Sequence, residues 1–212
     1  MSLAGTVKPY KQHIIVCGGG DAGNWPSHIE SSHELIRILG NLISEESKLT
    51  LCDRPNSSAD KTDIIVFPNS KLYQVSMHQL QAFAGYLSKS LQSSKVSVEE
   101  QFPSFELPFE KIILVCIHNN RDKRCGRAGP QIVEDMRRRL LEEGVPETVV
   151  TVVGSSHIGG HAFAGTLIVY PSSDWYGYVT AKGTSIPSIL DAIKNNTVYE
   201  KCHRGCANLP TW

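Results

Sequence analysis

The spacing of apolar residues in the first half of the chain switches between short continuous runs and a helical repeat. Three runs of five residues, His13–Cys17, Lys48–Cys52 and Asp63–Phe67, are rich in Ile, Val and Leu and predict strands. Apolar residues recur every three to four positions over Ile29–Ile43 and Val75–Leu91, which predicts amphipathic helices there. The first half is therefore expected to form a small βαββα unit.

The second half shows the same alternation with stronger signals. Lys111–Ile117 and Glu147–Gly154 predict strands, and Pro130 is expected to start a helix that ends before Gly144. Proline is favoured in the first turn of a helix and glycine just after its last turn. The stretches GTLIVYP and WYGYVT predict a hairpin, and IPSILDAIKNN predicts a closing helix. This β-α-β-β-β-α order resembles a thioredoxin-like layer.

A polar stretch broken by two prolines, Gln92–Pro108, separates the halves and predicts a linker or a long crossing loop. We predict an α/β (α+β) chain with an N-terminal α/β subdomain over residues 1–100 and a thioredoxin-like domain over residues 109–212. The N-terminal unit is expected to pack on the larger domain. No sequence repeat is evident, although the two halves have similar orders of elements.

Composition limits the class of protein. Lys+Arg and Asp+Glu both number 21, and this balance does not favour nucleic acid as a partner. No apolar run approaches the roughly 18 residues of a membrane span. The N-terminal residues lack the apolar segment of a secretory signal and the Arg-rich character of a mitochondrial presequence. We therefore expect a cytoplasmic protein, with the mitochondrion as the alternative. The cysteine content favours metal binding or redox chemistry over a disulfide scaffold, and Cys17 and Cys52, which lie inside apolar runs, are expected to be plain buried thiols.

Two pairs of potential metal ligands follow strands of the second half. Eight residues separate Cys116 from Cys125, and three separate His157 from His161. Two thiolates and two imidazoles fit a tetrahedral zinc ion, and they also fit a [2Fe–2S] cluster with two Cys on one iron and two His on the other. The eight-residue gap is wide for zinc and suits a loop around a larger group. Nearby glycines are expected to let backbone N–H groups approach the cluster: Gly126, Gly129, Gly159 and Gly160.

The segments CIHNNRDKRCGRAGP, SSHIGGHAFAGTLIVYP and DWYGYV resemble the sucrase/ferredoxin-like family. That family includes thioredoxin-like ferredoxins with bis-histidinyl, non-Rieske [2Fe–2S] clusters. HIIVCGG and WPSHIE resemble the N-terminal segment of the family, so the similarity covers most of the chain. The resemblance implies that Cys116, Cys125, His157 and His161 bind a [2Fe–2S] cluster. It also implies that residues 109–212 form a ferredoxin domain.

These ligands predict a soluble electron carrier in cellular redox homeostasis rather than an enzyme. Neutral imidazoles in place of thiolates should raise the reduction potential, as they do in Rieske centres. An iron-bound imidazole that loses its second proton would link reduction to pH. Arg121, Asp122 and Arg124 are candidate neighbours of the site. The expected partner is a redox protein, either a reductase or an electron acceptor.

Other readings of these residues stay open. His118 lies two residues past Cys116 and is a rival ligand. Cys202 and Cys206 are candidates for ligands, for a redox dithiol or for surface thiols near the C-terminus. The alternative functions are accordingly a zinc-stabilised interaction module and a thiol–disulfide oxidoreductase.

Two further motifs carry weaker signals. The spacing Gly18-x-Gly20-x-x-Gly23 matches a dinucleotide fingerprint. Asn24-Trp25-Pro26 interrupts the expected helix start, so a tight turn is the better prediction. The final residue, Trp212, resembles the C-terminal tail that cytosolic Fe–S assembly factors read, and those factors are a second candidate partner.

Overall fold

A computed structural model describes residues 3–92, 102–207 and 209, so the proposed tail signal at Trp212 lies outside the described residues. Two five-stranded sheets pack face to face, and the helices cover their outer faces. The predicted α/β (α+β) class is confirmed. No helix among the described residues is long and apolar enough to cross a membrane.

The first sheet has the strand order β2-β1-β3-β4-β5. Strands β1 and β2 are parallel, and every other neighbouring pair is antiparallel. The helices α1 and α2 connect β1 to β2, and α3 follows β4. The elements are β1 Gln12–Val16, α1 Ile29–Ser32, α2 Glu34–Leu42, β2 Ser47–Leu51, β3 Thr62–Phe67, β4 Lys71–Val75, α3 Leu80–Gln92 and β5 Ser104–Glu106.

The second sheet repeats this topology with the order β7-β6-β8-β9-β10. Its central strand β6 is parallel to β7 and antiparallel to β8, while β9 and β10 complete the antiparallel edge. The predicted hairpin is confirmed as β8 and β9. The elements are β6 Lys111–Cys116, α4 Lys123–Glu142, β7 Val150–Ser155, β8 Leu167–Tyr170, β9 Asp174–Tyr176, α5 Ser185–Lys194 and β10 His203–Cys206.

Strand alternation explains the layers. In β6, Ile113 and Val115 point to the helices, whereas Ile112, Leu114 and Cys116 point between the sheets. Successive side chains of a strand face opposite sides, so a continuous apolar run is buried on both faces. The apolar runs of the two central strands, residues 14–16 of β1 and 112–115 of β6, are thus the consequence of sitting in the middle of a four-layer molecule.

An approximate two-fold relation connects the halves. Strands β3 and β8 are equivalent, and each ends at an aromatic residue that precedes a proline, in Phe67-Pro68 and Tyr170-Pro171. The two aromatic rings stack with their centroids 4.1 Å apart. The registers of β1 with β2 and of β6 with β7 place Cys17 of the first half where Cys116 stands in the second. Each half is one copy of the same topology.

Reciprocal hydrogen bonds connect the two halves where β2 and β7 end. The Asp53 N–H donates to the Gly154 carbonyl at 3.0 Å, and the Ser156 N–H donates to the Leu51 carbonyl at 2.8 Å. The side chains repeat the exchange, because Asp53 accepts from the Gly154 N–H at 2.9 Å and the Ser156 hydroxyl accepts from the Leu51 N–H at 3.0 Å. The ends of the two strands therefore hold each other through equivalent bonds.

The predicted start of the long helix at Pro130 is wrong. Helix α4 begins at Lys123, because the Asp122 side chain caps it by accepting from the Arg124 N–H at 2.9 Å. Pro130 lies inside the helix instead of in its first turn. Cys125 therefore stands in the first helical turn and not in a loop.

Three other expectations need correction. The helix predicted over Ile29–Ile43 breaks at His33 into α1 and α2, and the stretch predicted as a linker contains β5. Strands β4 and β10 were not predicted, since their sequences mix polar and apolar residues without a strong run. The division at residues 1–100 and 109–212 stays a prediction, although the strands of the first sheet all precede residue 107.

Candidate metal centre

Cys116 ends the central strand of the second sheet. Its side chain points into the packing layer between the sheets and is 1% exposed. The Cys116 N–H donates to the Thr166 carbonyl at 3.0 Å, so the strand pairing continues to this predicted ligand. The position is fixed by the sheet rather than by a flexible loop.

Cys125 is delivered by the first turn of α4. It is 1% exposed and shares the layer between the sheets with Cys116. The helix can pass this close because Gly129 has no side chain. A Cβ at Gly129 would lie 2.1 Å from the Cys116 carbonyl oxygen. This glycine serves the packing of the helix on the strand rather than an N–H contact to a cluster.

The histidines lie on the loop after β7. Gly159 and Gly160 both have positive φ, at 91° and 71°, a conformation in which glycine has no steric penalty. These two residues turn the chain between His157, which is half-buried, and His161, which is exposed. The Thr166 hydroxyl donates to the Gly160 carbonyl at 3.3 Å and ties the loop to the start of β8.

The structure brings three of the four predicted ligands together. The ligand atoms of Cys116, Cys125 and His157 all lie within 4.8 Å of one another. The Cys116 Sγ is 3.8 Å from the His157 Nδ1. His161 stands beside this group, with its ring centroid 5.8 Å from that of His157 and the planes 28° apart. Two buried thiols and two more accessible imidazoles thus face one another across the site.

The surroundings of the two thiols shift their pKa values in opposite directions. The Cys125 thiol, the His157 ring and the Ile158 N–H lower the pKa of Cys116 well below its usual value, although burial opposes them. The neighbouring Cys116 and burial raise the pKa of Cys125. One thiolate is therefore favoured in the pair, and thiolates are the form that binds metals.

Comparisons with known proteins show the family of this chain. A model of the sucrase/ferredoxin-like family matches residues 3–205. The chain belongs to this family. The resemblance seen in the sequence is confirmed over nearly the whole chain, including the first half, where only short segments had indicated it.

Several curated relatives of this family member carry the name altered inheritance of mitochondria protein 32. The protein of Debaryomyces hansenii is 27% identical over 245 residues, which cover 96% of this chain and 85% of that protein. The protein of Meyerozyma guilliermondii is 33% identical over 126 residues, covering 57% of this chain and 42% of that protein. Among solved structures, a thioredoxin-like [2Fe–2S] ferredoxin from Aquifex aeolicus gives a TM-score of 0.43 at 14% identity, covering 49% of this chain and 98% of that chain.

His118, the rival ligand, has a different place in this family member. Its Nε2 is bonded to the Pro26 carbonyl at 2.9 Å, and its Nδ1 accepts from the His157 N–H at 3.3 Å. Because a carbonyl only accepts, the Nε2 must carry the proton. Burial lowers the pKa of His118, which keeps the ring neutral. It orients His157 and is itself held by Pro26 of the first half, a role that its sequence position alone did not reveal.

The three charged candidates lie around the histidine loop with different partners. Asp122 caps α4 and pairs with Arg124 at 2.8 Å, and this bond lowers the pKa of the Asp122 carboxyl. The charge of His161 also acts on Asp122, in the same direction. The guanidinium of Arg121 lies 2.6 Å from His28 of the first half. Asp122 is thus the candidate with an electrostatic link to a ligand.

The remaining cysteines do not join the trio of ligand atoms among the described residues. Cys202 is buried and Cys206 is exposed, and the extended strand β10 lies between them. At about 3.3 Å per strand residue, their α-carbons lie roughly 10 Å or more apart, beyond the reach of a disulfide. The Cys17 and Cys52 thiols are buried, as predicted, with their Sγ atoms 3.7 Å apart.

The glycine motif of the first half forms the predicted tight turn. The Gly18 N–H donates to the Arg54 carbonyl and the Gly19 N–H to the Cys52 carbonyl. A short 3-10 helix over Ala22–Asn24 follows in place of the long helix that a dinucleotide site needs. The Gly18 and Gly19 N–H groups are thus engaged within the protein.

Two basic residues near the histidines had no signal in the sequence. Lys48 donates to the Ile158 carbonyl at 2.7 Å, one residue after a ligand. Arg204 packs under the histidine loop, where a Cβ at Gly160 would lie 2.5 Å from its Nη1. Both residues reach the site from distant strands, β2 and β10. Their role depends on tertiary packing and follows no local pattern.

Proposed function

We propose that this protein is an electron carrier that holds a [2Fe–2S] cluster through Cys116, Cys125, His157 and His161. The observation that carries the proposal is the convergence of the Cys116, Cys125 and His157 ligand atoms within 4.8 Å, with the His161 ring alongside. Two thiols and two imidazoles are a donor set that a [2Fe–2S] cluster accepts. Membership of the sucrase/ferredoxin-like family supports the same conclusion.

The four residues differ in burial, and we propose that they therefore differ in role. Cys116 and Cys125 lie between the sheets, where they are shielded from water and from other thiols. His161 is exposed and His157 is half-buried, so the imidazoles form the accessible edge of the site. When bound, the cluster supplies a reversible one-electron couple. We propose that electrons enter and leave on the side of the histidines.

The same exposure supports a link between electron and proton. The His161 ring can exchange a proton with water while the buried thiols cannot. If one proton accompanies each electron, the reduction potential should fall by about 59 mV per pH unit over the range in which the imidazole titrates. A potential that stays constant from pH 6 to pH 9 would contradict this coupling.

Zinc binding is the second candidate, and one observation favours it. The 3.8 Å between the Cys116 Sγ and the His157 Nδ1 is as short as the separation of two ligands on one tetrahedral ion. The position of His161 outside the compact trio favours a centre with more than one metal atom. A zinc-stabilised interaction module would be colourless and would transfer no electrons.

One experiment separates the two. Protein purified without oxygen from iron-replete cells is assayed for iron, sulfide and zinc, and its visible spectrum is recorded beside that of His161→Cys. We expect about two irons and two sulfides per chain. The charge-transfer bands should shift in the variant, because a thiolate replaces an imidazole. One zinc per chain with no visible absorption would reject the electron carrier and leave the zinc module.

Partners and compartment are part of this proposal. A reductase or an electron acceptor is the proposed redox partner, and Trp212 is the proposed contact for Fe–S assembly factors. We propose the cytoplasm as the compartment, with the mitochondrion as the alternative. The name of the yeast relatives refers to inheritance of mitochondria, which supports that alternative. Fractionation of cells that express the tagged chain distinguishes the two.

A further inference from the structure

A cleft of about 690 Å³ lies beside the histidine pair. His157, His161 and the glycines between them form one side. The other sides come from the N-terminal segment, the start of β2, and Trp175. A Cβ at Gly159 would meet nothing within 4 Å, so the space next to the loop is open. The volume is in the usual range for sites that hold a small organic molecule.

The lysine and arginine residues of this cleft form no ion pairs within the described chain. Lys8, Lys48 and Arg204 line it, and none of its described lining residues is an Asp or a Glu. None of the three cations forms an ion pair within residues 3–92 and 102–207. Charges brought out of water without a partner are unfavourable, which applies to Lys48 and Arg204 and not to the exposed Lys8. The lining of the cleft therefore has an excess of positive charge, which the Cys116 thiolate opposes at Lys48.

Arg204 is the strongest case. It is 3% exposed, and its guanidinium lies 4.5 Å from the Phe163 ring centroid and 5.3 Å from that of Trp175. Its Nε and Nη2 donate to the Thr6 hydroxyl and carbonyl at 3.0 and 2.9 Å, while Nη1 has no acceptor. A buried donor without a protein acceptor is rare in folded proteins, and a water molecule or an anion would satisfy it.

Lys48 places a second positive charge in the lining of the cleft. Its ammonium lies 5.1 Å from the centroid of the Trp175 ring and donates one hydrogen bond, to Ile158. Burial lowers the pKa of Lys48 to about 8. The charge of the Cys116 thiolate opposes this shift, while the charges of Arg204 and Lys8 act in the same direction as burial. Repulsion from two other cations is what an incoming anion would relieve.

Carboxylates that neighbour the lining residues in sequence are engaged elsewhere. Glu46, next to Ser47, pairs with Lys11 at 2.7 Å. Asp174, next to Trp175, pairs with His203 at 2.8 Å. Neither is available to neutralise the cleft without losing its own partner.

We propose that this cleft binds a small organic anion through a carboxylate or phosphate group, with Lys48 and Arg204 supplying the positive charge. The bound molecule would lie against the accessible edge of His157 and His161. The site depends on the charges of the chain and does not require the cluster. A small acid or a phosphorylated metabolite in this position would be next to the edge through which electrons are proposed to pass.

The test measures binding of two probes, citrate and pyrophosphate, by isothermal titration calorimetry at low ionic strength. We expect saturable binding of at least one probe by the wild-type protein. Lys48→Gln should raise the dissociation constant by about tenfold or more, since a charge-assisted hydrogen bond to the anion is lost. Lys48→Arg keeps the charge and should remain within about threefold of wild type. Preference for citrate or for pyrophosphate identifies the carboxylate or the phosphate as the group recognised.

Lys11→Gln is the matched control, because Lys11 is an exposed lysine of the same region that already has a partner. It should bind as wild type does. Wild type without saturable binding at millimolar probe, or Lys48→Gln with unchanged binding, would overturn the proposal. Titration of Cys116→Ser separates the two hypotheses: binding that persists in this variant supports an anion site even if no cluster forms. Binding that requires the cluster would mean that the cations serve the cluster instead.

Discussion

The two halves of this molecule share one topology and differ at the end of their central strands. In the second half, Cys116 faces Cys125 and His157 in a compact group of metal donors. In the first half, Cys17 holds the equivalent place, with its Sγ 3.7 Å from that of Cys52, and it joins no group of metal donors among the described residues. Where the second half has His157, the strand register of the first half places Arg54.

The difference lies in the connections and not in the sheets. After β6, a short turn and the capped helix α4 bring back a second cysteine. After β1, a glycine turn and a 3-10 helix lead to Trp25, whose indole N–H donates to the Gly19 carbonyl at 2.6 Å. The same sheet therefore supports either a donor site or a closed turn, according to the loop placed on it.

The largest effect is expected from exchanging serine for the two equivalent cysteines. Cys116→Ser removes a buried thiolate donor and should abolish the bound iron. Cys17→Ser should leave about two irons per chain, because within the described part of the chain this thiol belongs to no donor group. Iron and sulfide assays on both variants make the comparison. Equal loss of iron in both would show that the first half takes part in the metal site.

The aromatic stack tests whether the halves contribute equally to stability. Phe67→Ala and Tyr170→Ala should each lower the free energy of unfolding by about 3–5 kcal/mol, since each removes a fully buried ring. The double variant should lose less than the sum, because the two rings contact each other. Urea denaturation measures all three. Strict additivity would mean that the stack carries no energy of its own.

His118 connects the halves at the metal site and offers a smaller effect. His118→Ala removes the acceptor for the His157 N–H, and loss of such an orienting partner lowers metal affinity by about 10–100-fold. His118→Asn retains an acceptor oxygen and should recover part of this loss. The rate of iron release to a chelator and the electron paramagnetic resonance spectrum are the measurements. Unchanged spectra and rates in the alanine variant would assign His118 to folding alone.

The smallest effect is the dependence of stability on pH that arises from His13 in the first half. Burial, followed by the charge of Lys48, lowers the pKa of His13 well below its usual value. The ring lies between the Tyr170 hydroxyl at 2.6 Å and the Thr50 hydroxyl at 2.9 Å. The equivalent position in the second half is Ile112, which does not titrate.

The sign follows from the lowered pKa of His13. Unfolded His13 gains a proton as the pH falls through about 6.5, while the folded ring does not, so stability falls below that pH. Between pH 6.5 and the folded pKa, the contribution is about 1.4 kcal/mol per pH unit. Urea denaturation from pH 7.5 to 5 should show a shallower slope for His13→Gln than for wild type. Equal slopes would show that other groups cause the loss.

Local patterns predicted the strong strands and marked the three residues whose donor atoms converge, because continuous apolar runs and paired donors are visible without tertiary contacts. The start of α4 was missed since Pro130 gave a familiar signal, while the cap at Asp122 outweighed it. The role of His118 depends on Pro26, more than ninety residues away in sequence. No single-sequence pattern contains that contact.

The two-fold relation was also beyond the sequence. Its equivalent positions hold different residues, such as Leu51 and Gly154, and they share backbone bonds rather than side chains. Similar orders of elements were the only visible sign. Hydrogen-bond register, which defines the relation, is a property of the folded chain.

The reciprocal bonds between the ends of β2 and β7 make this protein the tethered equivalent of a symmetric dimer. Because both partners are parts of one polypeptide, they meet at an effective concentration that the connecting chain sets, and dilution does not separate them. Assembly of the interface is therefore independent of how many copies a cell contains. Only one of the two partners then has to retain ligands, and the other is free to specialise as a support.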